Sequence, residues 1–210
     1  MTPEVLIDAL GVVDPLLAGA SRLMVGVAGP PGAGKSTLAV ALASARNGAM
    51  VPMDGFHLAN SELRRLGLSD RKGAPETFDV AGFVHLLRRL RTAYPGETVY
   101  APAFTRALEE PVAGAIPVFP QVRLVVVEGN YLLIPEGHWA HVRPLLDLVI
   151  YVDTASAESR TAALLRRARA RGLDREAAHD WVFRNDEANA RLVASTRSRA
   201  DVVLIRRSAG

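Results

Sequence analysis

Five short segments of the chain are mainly apolar, and each is followed by a polar turn or by a helical pattern. They are residues 22–28, 49–53, 122–127, 148–152 and 202–205. A strand buried on both faces of a parallel sheet has this nearly continuous apolar pattern. Helix-period patterns separate these segments over residues 3–18, 36–45, 155–171 and 174–193, with one more that begins at Asp79. This alternation predicts an α/β domain with a central parallel sheet and right-handed crossovers.

Two further segments interrupt the alternation. Residues 97–118 contain two extended stretches around a Glu-Glu-Pro and Gly region, which predicts a small hairpin insertion. Residues 61–66 predict a helical turn, and the polar residues 67–77 predict an ordered loop. Asp79 is a candidate N-cap for the helix that follows.

Composition narrows the class of protein. A length of 210 residues predicts one domain over residues 1–210. The chain has no cysteine and a formal charge of +3, so no disulfide or thiolate metal site is expected, and anionic phosphates are sufficient partners without nucleic acid. No apolar run approaches the roughly 18 residues of a membrane span, which predicts a cytoplasmic protein that does not bind a membrane.

The sequence between the first strand and the next helix has the spacing G-x-x-x-x-G-K-S. Such a loop directs backbone N–H groups at phosphates, while its lysine reaches the phosphates and its hydroxyl reaches Mg²⁺. The chain is therefore predicted to bind a nucleotide. The predicted nucleotide-binding residues are Gly29, Pro30, Pro31, Gly32, Ala33, Gly34, Lys35, Ser36 and the adjacent Thr37.

Lysine is rare in this sequence. Of 25 basic residues only Lys35 and Lys72 are lysine, and the others are arginine. A compact ammonium fits between phosphate oxygens where a planar guanidinium does not, so the lysine at position 35 has a chemical reason. By the same reasoning Lys72 is a candidate substrate contact, although a solvated surface lysine is an equal alternative.

Ligands of open parallel sheets lie beyond the carboxyl ends of the strands. Asp54 follows the second strand and is a candidate base that accepts the proton of an attacking hydroxyl. Glu128 follows the third strand and is a candidate metal ligand together with Ser36. Near these carboxylates, His57 and Tyr131 are candidate substrate contacts, and a surface position for His57 is as well supported.

The helix predicted over 155–171 is rich in arginine. A solvated face explains most of these residues. One or two of them are candidates to cover the phosphates, stabilise the transferring phosphoryl group and exclude water. Arg160 and Arg167 are chosen because their i, i+7 spacing places them on one helix face.

These motifs together resemble the P-loop small-molecule kinases grouped around bacterial pantothenate kinase, uridine kinase and phosphoribulokinase. The resemblance covers most of the chain and is greatest to bacterial proteins named as fructose transport system kinases. It rests on G-P-P-G-A-G-K-S from Gly29, P-M-D-G-F-H from Pro52, R-K-G-A-P-E-T-F-D from Arg71, A-P-A-F from Ala101, V-V-V-E-G-N-Y-L-L from Val125, N-D from Asn185 and N-A-R-L-V from Asn189.

The resemblance implies a P-loop NTPase three-layer sandwich with a helical lid near residues 155–175. It implies ATP and Mg²⁺ as cofactors, Asp54 as base, and an acceptor pocket among the Asp54 loop, the Lys72 loop and the hairpin around Phe104. Homodimers are usual in the resembling families, and the hairpin is a candidate contact. Uridine kinases have tyrosine then aspartate where this chain has Phe104 and Thr105, and pantothenate kinases have longer flanking segments.

The favoured function is an ATP-dependent kinase that phosphorylates a hydroxyl of a sugar, a nucleoside or a pantothenate-like molecule. A GTPase switch would need an N-K-x-D motif, and neither lysine stands in one. The alternative is a nucleotide-binding regulatory ATPase without a small-molecule acceptor, and the four residues Lys35, Ser36, Asp54 and Glu128 argue against it.

Overall fold

The protein is built around a five-stranded parallel sheet in the order β2-β5-β1-β6-β7. A computed structural model describes residues 3–93, 95–170, 172 and 174–206, without the side chains of Ser159 and Arg167. The sheet strands are β1 (Leu23–Ala28), β2 (Ala49–Pro52), β5 (Leu124–Glu128), β6 (Leu148–Thr154) and β7 (Val202–Arg206). The remaining strands, β3 (Val99–Thr105) and β4 (Glu110–Val118), form a separate antiparallel hairpin.

The central strands have the pattern expected for a sheet covered on both faces. All residues of β1 and β5 are buried. Their register pairs Val27 with Glu128, and β2 pairs Pro52 with the same glutamate. The carboxyl ends of β1, β2 and β5 therefore meet at one edge, which is where the polar residues follow.

Helices cover both faces. They are α1 (Pro3–Gly19), α2 (Lys35–Ala45), α3 (Asn60–Leu66), α4 (Val80–Thr92), α5 (Ala157–Ala170), α6 (Arg175–Trp181) and α7 (Glu187–Ser195). One apolar core joins α1 and α2 to the sheet, and a second joins α4 to the other face. Asp79 caps α4 as predicted, since its carboxylate accepts a hydrogen bond from the Gly82 N–H at 2.9 Å.

The three-layer α/β architecture with a central parallel sheet is confirmed. Among the described residues, no helix combines the length and the apolar character that crossing a membrane requires.

The hairpin turn differs from the prediction. The Glu-Glu-Pro and Gly region was expected at the turn, but Glu110, Pro111 and Gly114 lie within β4. The chain instead reverses over residues 106–109, where Glu109 adopts a left-handed φ of 51°. Proline is tolerated in this strand because edge strands do not need every N–H.

The helix predicted over 174–193 is also interrupted. Residues Val182–Asp186 form a π-helical turn between α6 and α7. At the start of this turn Val182 packs against α5, while beyond the turn Val193 enters the main core. The wider turn changes the buried face of the helix, and apolar spacing alone does not reveal that change.

Candidate active site

The loop after β1 is shaped by glycines that approach other backbone atoms. Gly29 has φ +140°, and a Cβ atom there would lie 2.3 Å from the carbonyl oxygen of Val152. Gly34, at φ 99°, is the N-cap residue of α2 and, as a glycine, has no side chain with which to cap the first turn of that helix. The helix N–H groups are thus available for an anion, as a phosphate-binding helix requires.

Lys35 lies at the base of this loop and is 6% exposed. Its Nζ donates a hydrogen bond to the Pro30 carbonyl at 3.1 Å and lies 4.0 Å from Oε1 of Glu128. Because a buried ammonium needs a compensating charge, the carboxylate at the end of β5 stabilises it there. Lys35 and Glu128, the candidate metal ligand, therefore lie next to each other in one buried site.

A cavity of about 400 Å³ opens beside the loop. Part of its wall consists of Pro31, Gly32, Gly34, Lys35, Ser36 and Thr37. The other predicted residues that reach it are Asp54, His57, Lys72, Phe104 and Glu128. Of the remaining loop residues, Gly29, Pro30 and Ala33 are buried behind the wall.

Asp54 lies in a 3₁₀ turn, Met53–Phe56, that follows β2 directly. Its backbone carbonyl accepts the His57 N–H at 3.2 Å. The turn is packed closely, because a Cβ atom on Gly55 would lie 2.3 Å from the Pro102 carbonyl oxygen in the hairpin. The hairpin therefore holds the Asp54 turn against the cavity.

His57 is partly buried between two aromatic rings. Its ring centroid lies 4.1 Å from that of Phe78 and 5.0 Å from that of Phe104. Burial lowers the pKa of the imidazole below its ordinary value, against the opposing effect of the Asp54 carboxylate. The Nδ1 atom lies 2.8 Å from the Asp54 carbonyl oxygen, which only accepts. Nδ1 therefore carries the proton in the neutral ring, and Nε2 is a hydrogen-bond acceptor.

Lys72 joins the second loop to the hairpin. Its Nζ donates to Oδ1 of Asn60 and to the carbonyl of Glu109, both at 2.6 Å, and lies 5.1 Å from the centroid of the Phe104 ring. The carboxylate of Glu110 in turn accepts the Asn60 N–H at 2.9 Å. Lys72 therefore lines the cavity as part of a network that joins the Lys72 loop to the hairpin.

Tyr131, which was predicted as a substrate contact, is not among the residues that line the cavity. The residue is fully buried, and its hydroxyl donates to the Gly73 carbonyl at 2.5 Å. Its ring packs edge-on against Phe78 and Trp139. Burial also raises the pKa of this phenol above its ordinary value. The tyrosine supports the Lys72 loop from behind.

Arg160 packs against the phosphate-binding loop, but it is not part of the cavity wall. Its Cγ atom lies 3.2 Å from the position of a Cβ atom on Gly32. Its Nη2 donates to both carboxylate oxygens of Glu187, at 2.7 and 2.9 Å. The other chosen arginine, Arg167, lies on α5, and its side chain is outside the described residues.

Several cavity residues were not predicted from the sequence. They are Gly73, Phe78, Arg106, Glu109, Asn130, Trp181, Asp186 and Asn189. Asn130 comes two residues after Glu128, and its position just beyond the end of β5 is a signal from which it could have been predicted. Asp186 and Asn189 belong to the N-D and N-A-R-L-V motifs, whose role depends on how α7 folds back on the cavity.

Comparison with known proteins agrees with this geometry. The family model for the Phosphoribulokinase / Uridine kinase family matches residues 24–209. A protein of Schizosaccharomyces pombe described as "Putative uridine kinase C227.14" is 35% identical over 202 residues, which cover 90% of this chain and 85% of that protein. The Escherichia coli "Uncharacterized protein YggC" is 34% identical over 206 residues, covering 95% of this chain and 82% of that protein.

A solved structure has the same fold over nearly the whole length. It is the "putative fructose transport system kinase" from Silicibacter sp. TM1040, with 38% identity, a TM-score of 0.83, and coverage of 97% of this chain and 99% of that one. The family match spans the phosphate loop, both strand-end carboxylates and α7. The chain therefore belongs to the phosphoribulokinase / uridine kinase family and is an ATP-dependent phosphotransferase that acts on an alcohol group.

Proposed function

We propose that this protein transfers the γ-phosphoryl group of ATP to a hydroxyl of a small polar molecule such as a sugar, a nucleoside or a pantothenate-like compound. The observation that carries the proposal is the convergence of Lys35, Ser36, Asp54 and Glu128 on one cavity. Phosphoryl transfer depends mainly on positioning and electrostatics, and this set supplies a phosphate ligand, two metal ligands and a base.

The nucleotide occupies the loop end of the cavity in this proposal. The N–H groups of the first turn of α2 and the Lys35 ammonium bind the phosphates, and Thr37 completes this wall. Ser36 and Glu128 would hold Mg²⁺, which would neutralise charge on the phosphates. Mg²⁺ commonly takes one or two protein oxygens and fills its remaining positions with phosphate and water. This fits a chain whose described residues contain no cluster of three acidic, histidine or cysteine side chains.

The acceptor hydroxyl lies between Asp54 and the γ-phosphate. Its oxygen forms a bond to the γ-phosphorus while the bond from that phosphorus to the β–γ bridging oxygen breaks. The hydroxyl proton passes to the Asp54 carboxylate, and the products are ADP and a phosphate monoester.

His57 gives this acceptor site a directional preference. With Nδ1 bound to the Asp54 carbonyl, Nε2 accepts a hydrogen bond and does not donate one. A second hydroxyl on the acceptor is the matching donor. Phe104 and Lys72 form the adjoining wall, which favours a polar molecule with one face that packs on an aromatic ring.

Arg160 and Arg167 act on the phosphates in this proposal. Arg160 is supported by its packing against Gly32, and Arg167 by its spacing on the same helix face. Their positive charge would stabilise the phosphoryl group as it transfers. Cytoplasmic location and dimerisation through the hairpin stay predictions.

The test is ADP release by the purified protein with ATP and Mg²⁺ against sugars, nucleosides, pantothenate and glycerate, with a reaction lacking acceptor as the control. Release stimulated by one acceptor, with a phosphorylated product seen by mass spectrometry, supports the kinase and names its substrate class. Equal slow hydrolysis in every reaction, including the one without acceptor, favours the regulatory ATPase. Failure to bind ATP overturns both.

A further inference from the structure

Trp181 is a partly exposed aromatic residue of the cavity wall, at the last position of α6. Among the residues that the structure describes, its ring contacts no other aromatic ring and its indole N–H donates no hydrogen bond. Two other aromatic residues of the wall are already packed, since Phe78 and Phe104 each contact the His57 ring. Trp181 thus has a ring surface and a hydrogen-bond donor available to a ligand.

The second tryptophan of the chain shows how a structural indole is held in this protein. Trp139 is 6% exposed, and its Nε1 donates to the Pro75 carbonyl at 3.3 Å. Its ring packs edge-on against Phe78 and Tyr131. Within the described part of the chain, Trp181 makes neither kind of contact. Packing of the protein interior therefore does not account for a tryptophan at this position, whereas a ligand with an apolar face and an oxygen would.

A π turn brings Trp181 to the cavity wall. The turn covers Val182–Asp186, and the Glu187 N–H donates to the carbonyl of Val182, five residues earlier. In an α-helix, positions five apart lie about 140° apart around the axis, whereas i→i+5 bonding brings them closer to one side. Trp181 and Asp186 are five positions apart, and both line the cavity. The π turn therefore accounts for two residues on one wall that a regular helix would separate.

The other sides of this helix end are already occupied or face outward. Ala178 and Val182 are buried in an apolar cluster with α5. The Phe183 ring stacks on that of His179 with the centroids 4.2 Å apart, and Phe183 is 48% exposed. Phe183 stands two positions after Trp181 and so lies on a different side of the helix. The same turn therefore holds one aromatic residue at the cavity and one away from it.

The segment that follows Trp181 is bonded to the acceptor side of the cavity. Nδ2 of Asn189 in α7 donates to the Gly73 carbonyl at 3.3 Å, next to Lys72. The Lys72 Nζ in turn lies 5.1 Å from the centroid of the Phe104 ring in the hairpin. All of these residues line the cavity. The segment from α6 to α7 therefore lies on the side that the proposed function assigns to the acceptor, with Phe104 on a different element.

We propose that Trp181 is an acceptor-binding residue whose indole packs on a ring of the acceptor and whose Nε1 donates a hydrogen bond to an acceptor oxygen. This rests on the proposed function, and it narrows the acceptor to a molecule with a ring, such as a sugar or a nucleoside. A ring is already rigid and loses few internal rotations when it packs on a flat indole. An open chain such as pantothenate loses several, which lowers its affinity.

The test measures kcat and KM with D-fructose, uridine, pantothenate and glycerate as the acceptors, for the wild type, Trp181→Ala, Trp181→Phe and Phe183→Ala. Phenylalanine at position 181 keeps a ring and removes the donor. Phe183→Ala is the matched control, because it removes an exposed aromatic ring from the same π turn and Phe183 is not among the residues that line the cavity.

Trp181→Ala is expected to raise the KM for the ring-containing acceptor about 10- to 100-fold, which is the usual loss when a stacking aromatic residue is replaced by alanine. The KM for ATP should stay within about twofold. Trp181→Phe should raise the acceptor KM only about 2- to 10-fold, because one hydrogen bond is lost and the ring surface is kept. Phe183→Ala should leave both KM values within about twofold of the wild type.

Tryptophan emission separates a direct contact from a merely structural role. With Mg²⁺ and ADP present, addition of D-fructose or uridine, whichever is turned over, should change the emission of the wild type. The change should be absent in Trp181→Phe, whose emission comes from Trp139 alone.

An unchanged acceptor KM in Trp181→Ala, a raised KM for ATP in its place, or turnover of pantothenate or glycerate alone would overturn the inference. Wild-type protein that turns over no acceptor would instead refute the proposed function. Thermal unfolding identifies a variant that has lost its fold. If Trp181→Ala does not fold, Trp181→Phe decides the question, and an emission change that persists in it would overturn the contact.

Discussion

The exchange Asp54→Asn tests the base directly because the fold depends little on the acidic side chain. The turn around Asp54 is held by backbone atoms: the Asp54 carbonyl accepts both the His57 N–H and the His57 ring N–H, and Gly55 packs on the hairpin. The side chain itself has no hydrogen bond or ion pair among the described residues. Asparagine has nearly the same shape, so the free energy of unfolding should change by less than about 0.5 kcal/mol.

The effect on catalysis should be large. A positioned base contributes about 10²- to 10⁴-fold, so kcat should fall by that factor, which corresponds to about 3–5 kcal/mol in the activation free energy. The ATP affinity of Asp54→Asn should stay within about twofold of the wild-type value, because the substitution leaves Lys35 and the phosphate-binding loop unchanged. Lys35→Ala, in contrast, should lower the nucleotide affinity in addition to kcat.

The assay is single-turnover phosphorylation of the best acceptor from the panel, with Asp70→Asn as the control. Asp70 is an exposed carboxylate in the 3₁₀ turn Ser69–Arg71, and its removal should leave kcat unchanged. An Asp54→Asn variant that keeps more than about a tenth of the wild-type kcat would refute the assignment of Asp54 as the base, since a positioned base contributes at least about 100-fold.

Three further outcomes are expected. Burial lowers the pKa of His57 below its ordinary 6.5, so the unfolded state takes up a proton first as the pH falls. In urea unfolding the free energy of unfolding should therefore be at its full value above pH 6.5 and should decline below it. The decline should be shallower in His57→Gln. Tyr131→Phe should lower the free energy of unfolding by about 1 kcal/mol and Tm by about 2–4 °C while keeping kcat, whereas a lost kcat at unchanged Tm would support the predicted role of Tyr131 as a substrate contact. Gly29→Ala should lose more than about 3 kcal/mol in denaturant unfolding, because its Cβ atom meets the Val152 carbonyl, and Gly114→Ala, at φ +66° in open space, should lose only about 1 kcal/mol.

The sequence predicts the sheet and the polar strand ends well because both follow from local rules. Buried parallel strands need continuous apolar residues, and the spacing of the phosphate loop follows from the geometry of one turn. Asp54 and Glu128 were placed correctly at the cavity because parallel strands deliver their carboxyl ends to one edge.

The remaining features depend on tertiary packing and on backbone conformation, which local sequence patterns do not reveal. Tyr131 follows a strand end, but its ring turns into an aromatic cluster instead of the cavity. Arg160 was chosen from helix spacing, whereas its partner Glu187 is 27 residues away and is brought near only by the tertiary fold. The hairpin turn was misplaced because Glu109, a residue without special freedom for a positive φ, takes the position expected of glycine.

The contact between Gly55 and Pro102 has a consequence for how acceptor preference diverges among relatives. It joins the catalytic turn to the hairpin through backbone and leaves no room for a side chain. Under the proposed mechanism, the distance between Asp54 and the hairpin side of the cavity, where the acceptor would bind, is therefore set by backbone atoms and not by the side chains that line the cavity. Substitutions at the exposed tip, such as Arg106 and Glu109, would then change which molecule is held while the line of attack on phosphorus stays constant. In this protein the residues that select the acceptor would thus be separate from those that fix the reaction geometry.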